Sequence, residues 1–160
     1  MKAKSLIRLL LLLLVITSVV ILAFRGLRSA IEPADKRVSV AVIGQKGLAH
    51  QVIAFYFHGT GRCLSCRRME AWAWEGIERD FSTELQAGTL QWQVVNMDMP
   101  ENQHFVQDYQ LFTRSLVLVE LEHGTVIRWT NLRQLWTLLG DKSAFMNYVR
   151  QEIGQYLRSS

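Results

Sequence analysis

The sequence predicts an α/β domain, a mixed β-sheet flanked by helices on both faces, preceded by one N-terminal transmembrane helix. Three observations carry the prediction. From Val38 onward, short β-rich runs alternate with amphipathic stretches, and the strongest run, Gln51 to His58 (QVIAFYFH), is nearly continuous in apolar and aromatic residues, as a buried central strand is. The longest amphipathic stretch follows that run directly, the order of a βαβ unit. A single long apolar segment, Leu9 to Phe24, stands apart near the N-terminus. A chain of 160 residues holds one compact domain. Its 49% hydrophobic content excludes a disordered protein, and two Cys exclude a disulfide scaffold.

Residues 1–28 read as a signal anchor, 29–37 as a polar tether, and 38–160 as the folded domain. At about 1.5 Å per residue, residues 6–24 span roughly 28 Å, close to the hydrocarbon thickness if Arg8 and Arg25 snorkel. A cleaved signal peptide has a shorter apolar core and small residues at its cleavage site; here the core runs into Phe24-Arg25-Gly26-Leu27-Arg28, so an uncleaved anchor is expected. Lys2, Lys4, Arg8 and the terminal amine outweigh Arg25 and Arg28, which keeps the N-terminus cytoplasmic and puts the domain on the extracytoplasmic side, the periplasm in a bacterial host. The net charge of +4 and pI near 9.3 belong to this anchor. From Ile31 onward thirteen Lys and Arg face fourteen Asp and Glu, so nucleic acid is not an expected partner.

Along the domain, Ser39 to Ile43 is a weak strand and Gln51 to His58 a strong one. Cys66, Met69, Ala73, Ile77, Phe81 and Leu85 recur at three- and four-residue steps and predict one amphipathic helix. Leu90 to Met97 predicts a strand, and Asp98-Met99-Pro100-Glu101 the start of a short helix ending near Tyr109, with Pro at the first helical position. Ser115 to Leu121 and Thr125 to Trp129 flank Glu122-His123-Gly124 and predict a hairpin at one side of the sheet. Residues 131–139 predict an extra helical turn. Asp141 caps a final helix with the stripe Phe145, Val149, Ile153 and Leu157.

The only cysteines, Cys63 and Cys66, lie where the central strand gives way to the helix. A cysteine at a helix N-terminus meets unpaired N–H groups and the positive end of the macrodipole, which favour a thiolate. Arg62, Arg67 and Arg68 add positive charge. Cys63 is therefore the expected nucleophile, and Cys66, one turn in and on the buried stripe, the resolving thiol. His58, at the strand end, is either a proton acceptor for the dithiol or a histidine bonded to the backbone. Gly59 and Gly61 are expected to let the chain turn tightly into this loop.

No metal is expected, since there is no second C-x-x-C or H-x₃-H pair, although two thiolates could hold Cu(I) or a soft metalloid. His50, His104 and His123 are expected in solvated loops or on helix surface. The five tryptophans, Trp72, Trp74, Trp92, Trp129 and Trp136, read as packing residues. There is no Walker loop, no G-x-S-x-G, and no flavin or nicotinamide fingerprint; the third position of a G-x-G-x-x-G begun at Gly59 is Leu64. No cofactor is expected, and electrons for any reduction must come from another protein.

The strand QVIAFYFH followed by Cys63-x-x-Cys66, the VVNMDMPEN stretch and YQLFTRSLVLVELEHGTV resemble the corresponding elements of the thioredoxin-like superfamily. More narrowly, FHGTGRCLSCRRME, MPEN, SLVLV, WTNL and a closing F-x-x-Y-V-x-x-E-I-x-x-Y-L resemble the proteins described as nitrophenyl compound nitroreductase subunit, ArsF family, which occur with arsenical-resistance proteins including a membrane permease. The resemblance implies a thioredoxin-like fold and thiol–disulfide exchange through Cys63 and Cys66. It also implies a redox partner protein, with a membrane electron transporter or permease and a reductase subunit as candidates. The Thr113-Arg114-Ser115 loop is then the partner contact across the dithiol. Three positions depart from the superfamily pattern: Ser115 stands where a cis-proline is usual, Ala54 where a buried acid is usual, and Leu64-Ser65 replaces Gly-Pro between the cysteines. Three functions of different class follow: a thiol–disulfide electron carrier, a metal- or metalloid-binding dithiol module, and a non-catalytic partner subunit.

Overall fold

The computed structural model describes residues 48–158, so the predicted anchor, the tether and the weak strand Ser39 to Ile43 lie outside the described residues. Among the described residues, no helix is long and apolar enough to cross a membrane.

The run QVIAFYFH forms β1 (His50–His58), buried at every position from Gln51 to Phe57. Burial on both faces requires apolar side chains at odd and even positions alike, which is why no alternation shows in its sequence. The chain then enters α1 (Leu64–Asp80), which buries Cys66, Met69, Ala73, Gly76 and Ile77. The single helix expected through Leu85 is in fact two. The backbone leaves the helical region at Phe81 (φ −134°, ψ 30°), whose ring turns into the core, and α2 (Ser82–Ala87) restarts beyond it. Gly88, at φ +75°, ends α2 in the left-handed conformation that favours glycine. β2 (Leu90–Asn96) follows and pairs parallel with β1, from Val52 opposite Leu90 to His58 opposite Asn96.

A 3₁₀ turn (Pro100–Asn102) and α3 (His104–Asp108) replace the one short helix expected there, with Pro100 in the predicted first position. β3 (Ser115–Glu122) runs antiparallel to β1, and β4 (Thr125–Asn131) antiparallel to β3. The turn residues between them, His123 (φ +49°) and Gly124 (φ +78°), are both left-handed, the backbone of a tight hairpin whose twist matches its strands. A 3₁₀ turn (Arg133–Trp136) supplies the extra helical piece, and α4 (Lys142–Leu157) closes the chain. Asp141 caps α4, accepting from the Ala144 N–H at 3.0 Å. Its buried stripe is Phe145, Val149 and Ile153 as expected, with Tyr156 rather than Leu157 completing it.

The sheet order β2-β1-β3-β4 leaves β1 central. Val52, Ala54 and Tyr56 of β1, with Leu116 and Leu118 of β3, pack against Met69, Ala73, Ile77, Phe145 and Val149 of α1 and α4. The alternate residues Ile53, Phe55 and Phe57 meet Phe105, Tyr109 and Leu111 on the opposite face. Helices therefore cover both faces. The carboxyl ends of β1 and β2 and the start of β3 fall at one end of the sheet, where loops rather than ladder bonds shape the surface.

Candidate functional site

Cys63 is the N-cap of α1, in extended backbone, and its Sγ accepts from the Cys66 N–H at 3.1 Å. Cys63 is exposed and Cys66 is buried on the core face of α1, the asymmetry expected from the helical stripe. The two sulfurs form a disulfide, with Cα atoms 5.1 Å apart. Reduction would leave the Cys63 sulfur among the unpaired N–H groups of a 17-residue helix, where the macrodipole favours its anion.

Tyr56 lies beneath the pair. Its hydroxyl donates to the Cys66 carbonyl at 2.6 Å, which ties the first turn of α1 to the central strand. Burial pushes the Tyr56 pKa up to about 12, helped by the Glu70 carboxylate and opposed by the Arg62 and Arg114 guanidinium groups. Sequence reasoning did not single out Tyr56, because inside an apolar run its ring reads as core.

His58 Nδ1 lies 2.9 Å from the Gly59 carbonyl and 3.4 Å from Arg62 Nε. One nitrogen cannot both donate to the carbonyl and accept from the guanidinium. The shorter contact favours Nδ1–H as donor to the carbonyl. His58 thus has the backbone partner, and no hydrogen bond joins it to either sulfur among the described residues. Arg62 turns toward Glu70, Nη2 to Oε2 at 3.0 Å, so its charge is shared with that carboxylate before it acts on Cys63. Arg68 lies over the Trp72 ring, 5.6 Å from its centre, on the other flank of α1.

Within the Thr113-Arg114-Ser115 loop, the residue that crosses to the cysteine loop is Arg114. Its Nη2 donates to the Gly61 carbonyl at 2.9 Å, and its own carbonyl accepts from the Trp136 indole at 3.0 Å. Ser115 opens β3, buried opposite Phe57, with its hydroxyl turned back to the Thr113 carbonyl at 3.0 Å. All peptide bonds among the described residues are trans. Ala54 is buried in the core beneath α1, where no carboxylate stands.

Three expectations are corrected here. Neither Gly59 nor Gly61 adopts a positive φ, so a tight left-handed turn is not their reason. A Cβ on Gly59 would lie 2.9 Å from Asp98 Oδ2 and 3.1 Å from Arg114 Nη2, so glycine is needed there for close approach; a Cβ on Gly61 would meet nothing. Asp98, expected to start a helix, instead uses Oδ2 to accept the Thr60 N–H at 2.7 Å, while Asn96 donates to the Thr60 hydroxyl at 3.2 Å. The loop before Cys63 is thus strapped to the end of β2 and to the entry of β3. His50 is also reassigned. It begins β1 and bonds the buried Glu120 at 2.9 Å, far along the strand from the cysteines, instead of sitting in a solvated loop. His104 starts α3, with Nδ1 at 2.9 Å from the Glu101 carbonyl. Among the described residues, no three His, Cys, Asp or Glu side chains gather to hold a metal ion.

No protein-family model and no curated protein matches the chain. Among solved structures, it is similar to a thioredoxin from Fasciola hepatica (15% identity, TM-score 0.41, covering 66% of this chain and 81% of that one). It is also similar to Trxlp from Edwardsiella tarda EIB202 (17%, TM-score 0.38, 66% and 86%) and to a malarial protein (14%, TM-score 0.32, 57% and 97%). Likenesses this low carry no argument; what the structure itself shows is a C-x-x-C at the strand-to-helix junction of a βαβ unit in a mixed sheet.

Proposed function

We propose that this protein is a membrane-anchored thiol–disulfide electron carrier. The observation that carries the reading is the Cys63–Cys66 disulfide at the N-terminus of α1, with one sulfur exposed and the other buried. In the reduced protein, the Cys63 thiolate attacks a partner disulfide, forming a mixed disulfide and releasing one partner thiolate. Cys66, deprotonated, then attacks the Cys63 sulfur, closes the internal disulfide and frees the partner's second thiolate. Two electrons pass to the partner, whose two thiolates take up protons. The reverse sequence, starting from the oxidised state seen here, draws two electrons from a partner dithiol.

The finer reading is an electron-delivering subunit of a nitroaromatic reductase system, associated with arsenical resistance. It is supported by the motif resemblance and by the absence of a flavin or nicotinamide motif. The extracytoplasmic location is supported by the charge asymmetry around residues 6–24, and an exported domain would meet its disulfide partners where thiols are not kept reduced by the cytosolic pool. His58 and Arg62 are proposed as tuning groups and Thr113 and Arg114 as partner contacts, with Ser115 buried behind them.

The test is a titration of the full-length chain in detergent against defined thiol/disulfide buffers, scored by the mass shift on alkylation of Cys63 and Cys66. A reversible two-electron transition in the range of roughly −120 to −270 mV is expected. With an oxidised protein partner, Cys66→Ser is expected to trap a mixed disulfide and Cys63→Ser to trap none. A pair that never exchanges, or that resists alkylation until a chelator is added, would replace this reading with the binding module.

A further inference from the structure

Charge is unevenly distributed over the domain. Residues 48–158 hold ten Lys and Arg against twelve Asp and Glu, so the described domain is acidic as a whole. Half of those cations nevertheless stand around the dithiol: Arg62, Arg67, Arg68, Arg114 and Arg133. Arg62 is in the cysteine loop, and Arg67 and Arg68 are in the first turns of α1. Arg114 is bonded to Gly61, and Arg133 lies over the Phe112 ring at 5.4 Å, two residues from Arg114. The acids on the same loops and turns are Glu70, Asp98 and Glu101. Glu70 neutralises Arg62, and Asp98 and Glu101 offset two more, so five cations against three acids leave this end with a net formal charge of about +2. Since the described residues hold two more acids than cations, the loops and turns around Cys63 are the positive part of an acidic domain.

The same end is apolar at its centre. Leu64, next to Cys63, is 75% exposed and Phe112 is 85% exposed, while Met99 follows Asp98 with 42% exposed. An open groove of about 410 Å³ runs from Arg62 and Arg67 to Trp74 and Trp92. Exposed apolar side chains inside a charged rim are the composition of a protein-binding face, whereas a surface built for a small disulfide such as glutathione would need no Phe112 or groove.

We propose that the dithiol end docks a protein partner whose reacting cysteine or disulfide lies in a segment rich in Asp and Glu and carrying apolar residues. The inference rests on the electron-carrier reading and names the partner's chemistry. Positive potential around Cys63 raises the encounter rate with an acidic segment and lowers it with a basic one, by roughly 10-fold or more at low salt.

The experiment uses the reduced full-length chain in a neutral detergent and follows exchange with three disulfides: a peptide disulfide flanked by Asp, Glu and Leu, its counterpart with Lys for the acids, and neutral hydroxyethyl disulfide. Peptide rates are divided by the same protein's rate with the neutral disulfide. The acidic peptide is expected to react about 10-fold faster than the basic one near 10 mM salt, and the two to converge near 1 M, where the screening length falls to about 3 Å. Arg67→Glu and Arg133→Glu should each cut that preference several-fold. Equal rates at low salt, a preference for the basic peptide, or a preference untouched by both substitutions and by salt would overturn the inference while leaving the electron carrier intact. Failure to react even with the neutral disulfide would refute the electron-carrier reading itself, and this inference with it.

Discussion

Replacing Gly59 with alanine places a methyl carbon 2.9 Å from Asp98 Oδ2 and 3.1 Å from Arg114 Nη2. The carboxylate cannot move away freely, because the same oxygen holds the Thr60 N–H at 2.7 Å. The substitution therefore sacrifices a charge-assisted but solvent-exposed hydrogen bond, worth about 1.5 kcal/mol, the low end for such bonds. Against this stands the lower entropy of the unfolded chain, which favours alanine by about 0.4–1 kcal/mol. The net expectation for Gly59→Ala is a loss of about 0.5–1 kcal/mol. Gly61→Ala is the internal control: its Cβ meets nothing within 4 Å and its backbone is not left-handed, so only the entropic gain applies. The two variants, two residues apart in one loop, should lie in opposite directions from the parent and differ by roughly 1.5 kcal/mol. Urea unfolding of both, analysed with a common m-value, measures the difference. Equal stability of the two variants, or a Gly59→Ala protein as stable as the parent, would refute the close-approach account of this loop.

Tyr56→Phe removes the bond to the Cys66 carbonyl and is expected to cost about 1 kcal/mol, read from the same unfolding curves. The Tyr56 pKa is raised in the folded state, to about 12 from an ordinary 10, so the folded state favours the neutral phenol. That contribution is whole below pH 10 and is lost as pH climbs toward 12, and Tyr56→Phe should flatten the alkaline fall in stability. An unchanged alkaline slope would show that Tyr56 ionises without opposing the fold. Glu120 is 2% exposed and bonded to Arg128 at 2.6 Å and His50 at 2.9 Å. Glu120→Ala removes the acceptor of His50 and one partner of Arg128, which is 45% exposed and also lies over the Tyr156 ring, and is expected to cost about 1–2 kcal/mol, with little effect on exchange per folded molecule because the cluster lies at the other end of β1. A variant within about 0.5 kcal/mol of the parent would show the cluster to be incidental. Asp141→Ala removes the side-chain cap of α4 and should cost about 1 kcal/mol, a loss that Asp141→Asn should largely avoid.

Sequence alone determined most of the described elements and the placement of the cysteine pair. A doubly buried strand, a helical stripe and a Pro at a helix start are local patterns, and each produced its element within a few residues. The exposed and buried roles of Cys63 and Cys66 were legible for the same reason, since three residues along a helix carry a side chain from its solvent end to its core face. Helix periodicity also misled: the Phe81 and Leu85 positions continue the stripe of α1, yet the chain breaks at Phe81, because tertiary burial of its ring outweighs helical continuity. What only the tertiary structure decided are the contacts between distant segments. Asp98 reads locally as a helix start and is claimed by Thr60 across the sheet end; Arg114 reaches Gly61; His50 finds Glu120, which is 70 residues away. Each of these is set by which strands pair and in what register. That information resides in the packing of the whole sheet, and no window of neighbouring residues contains it.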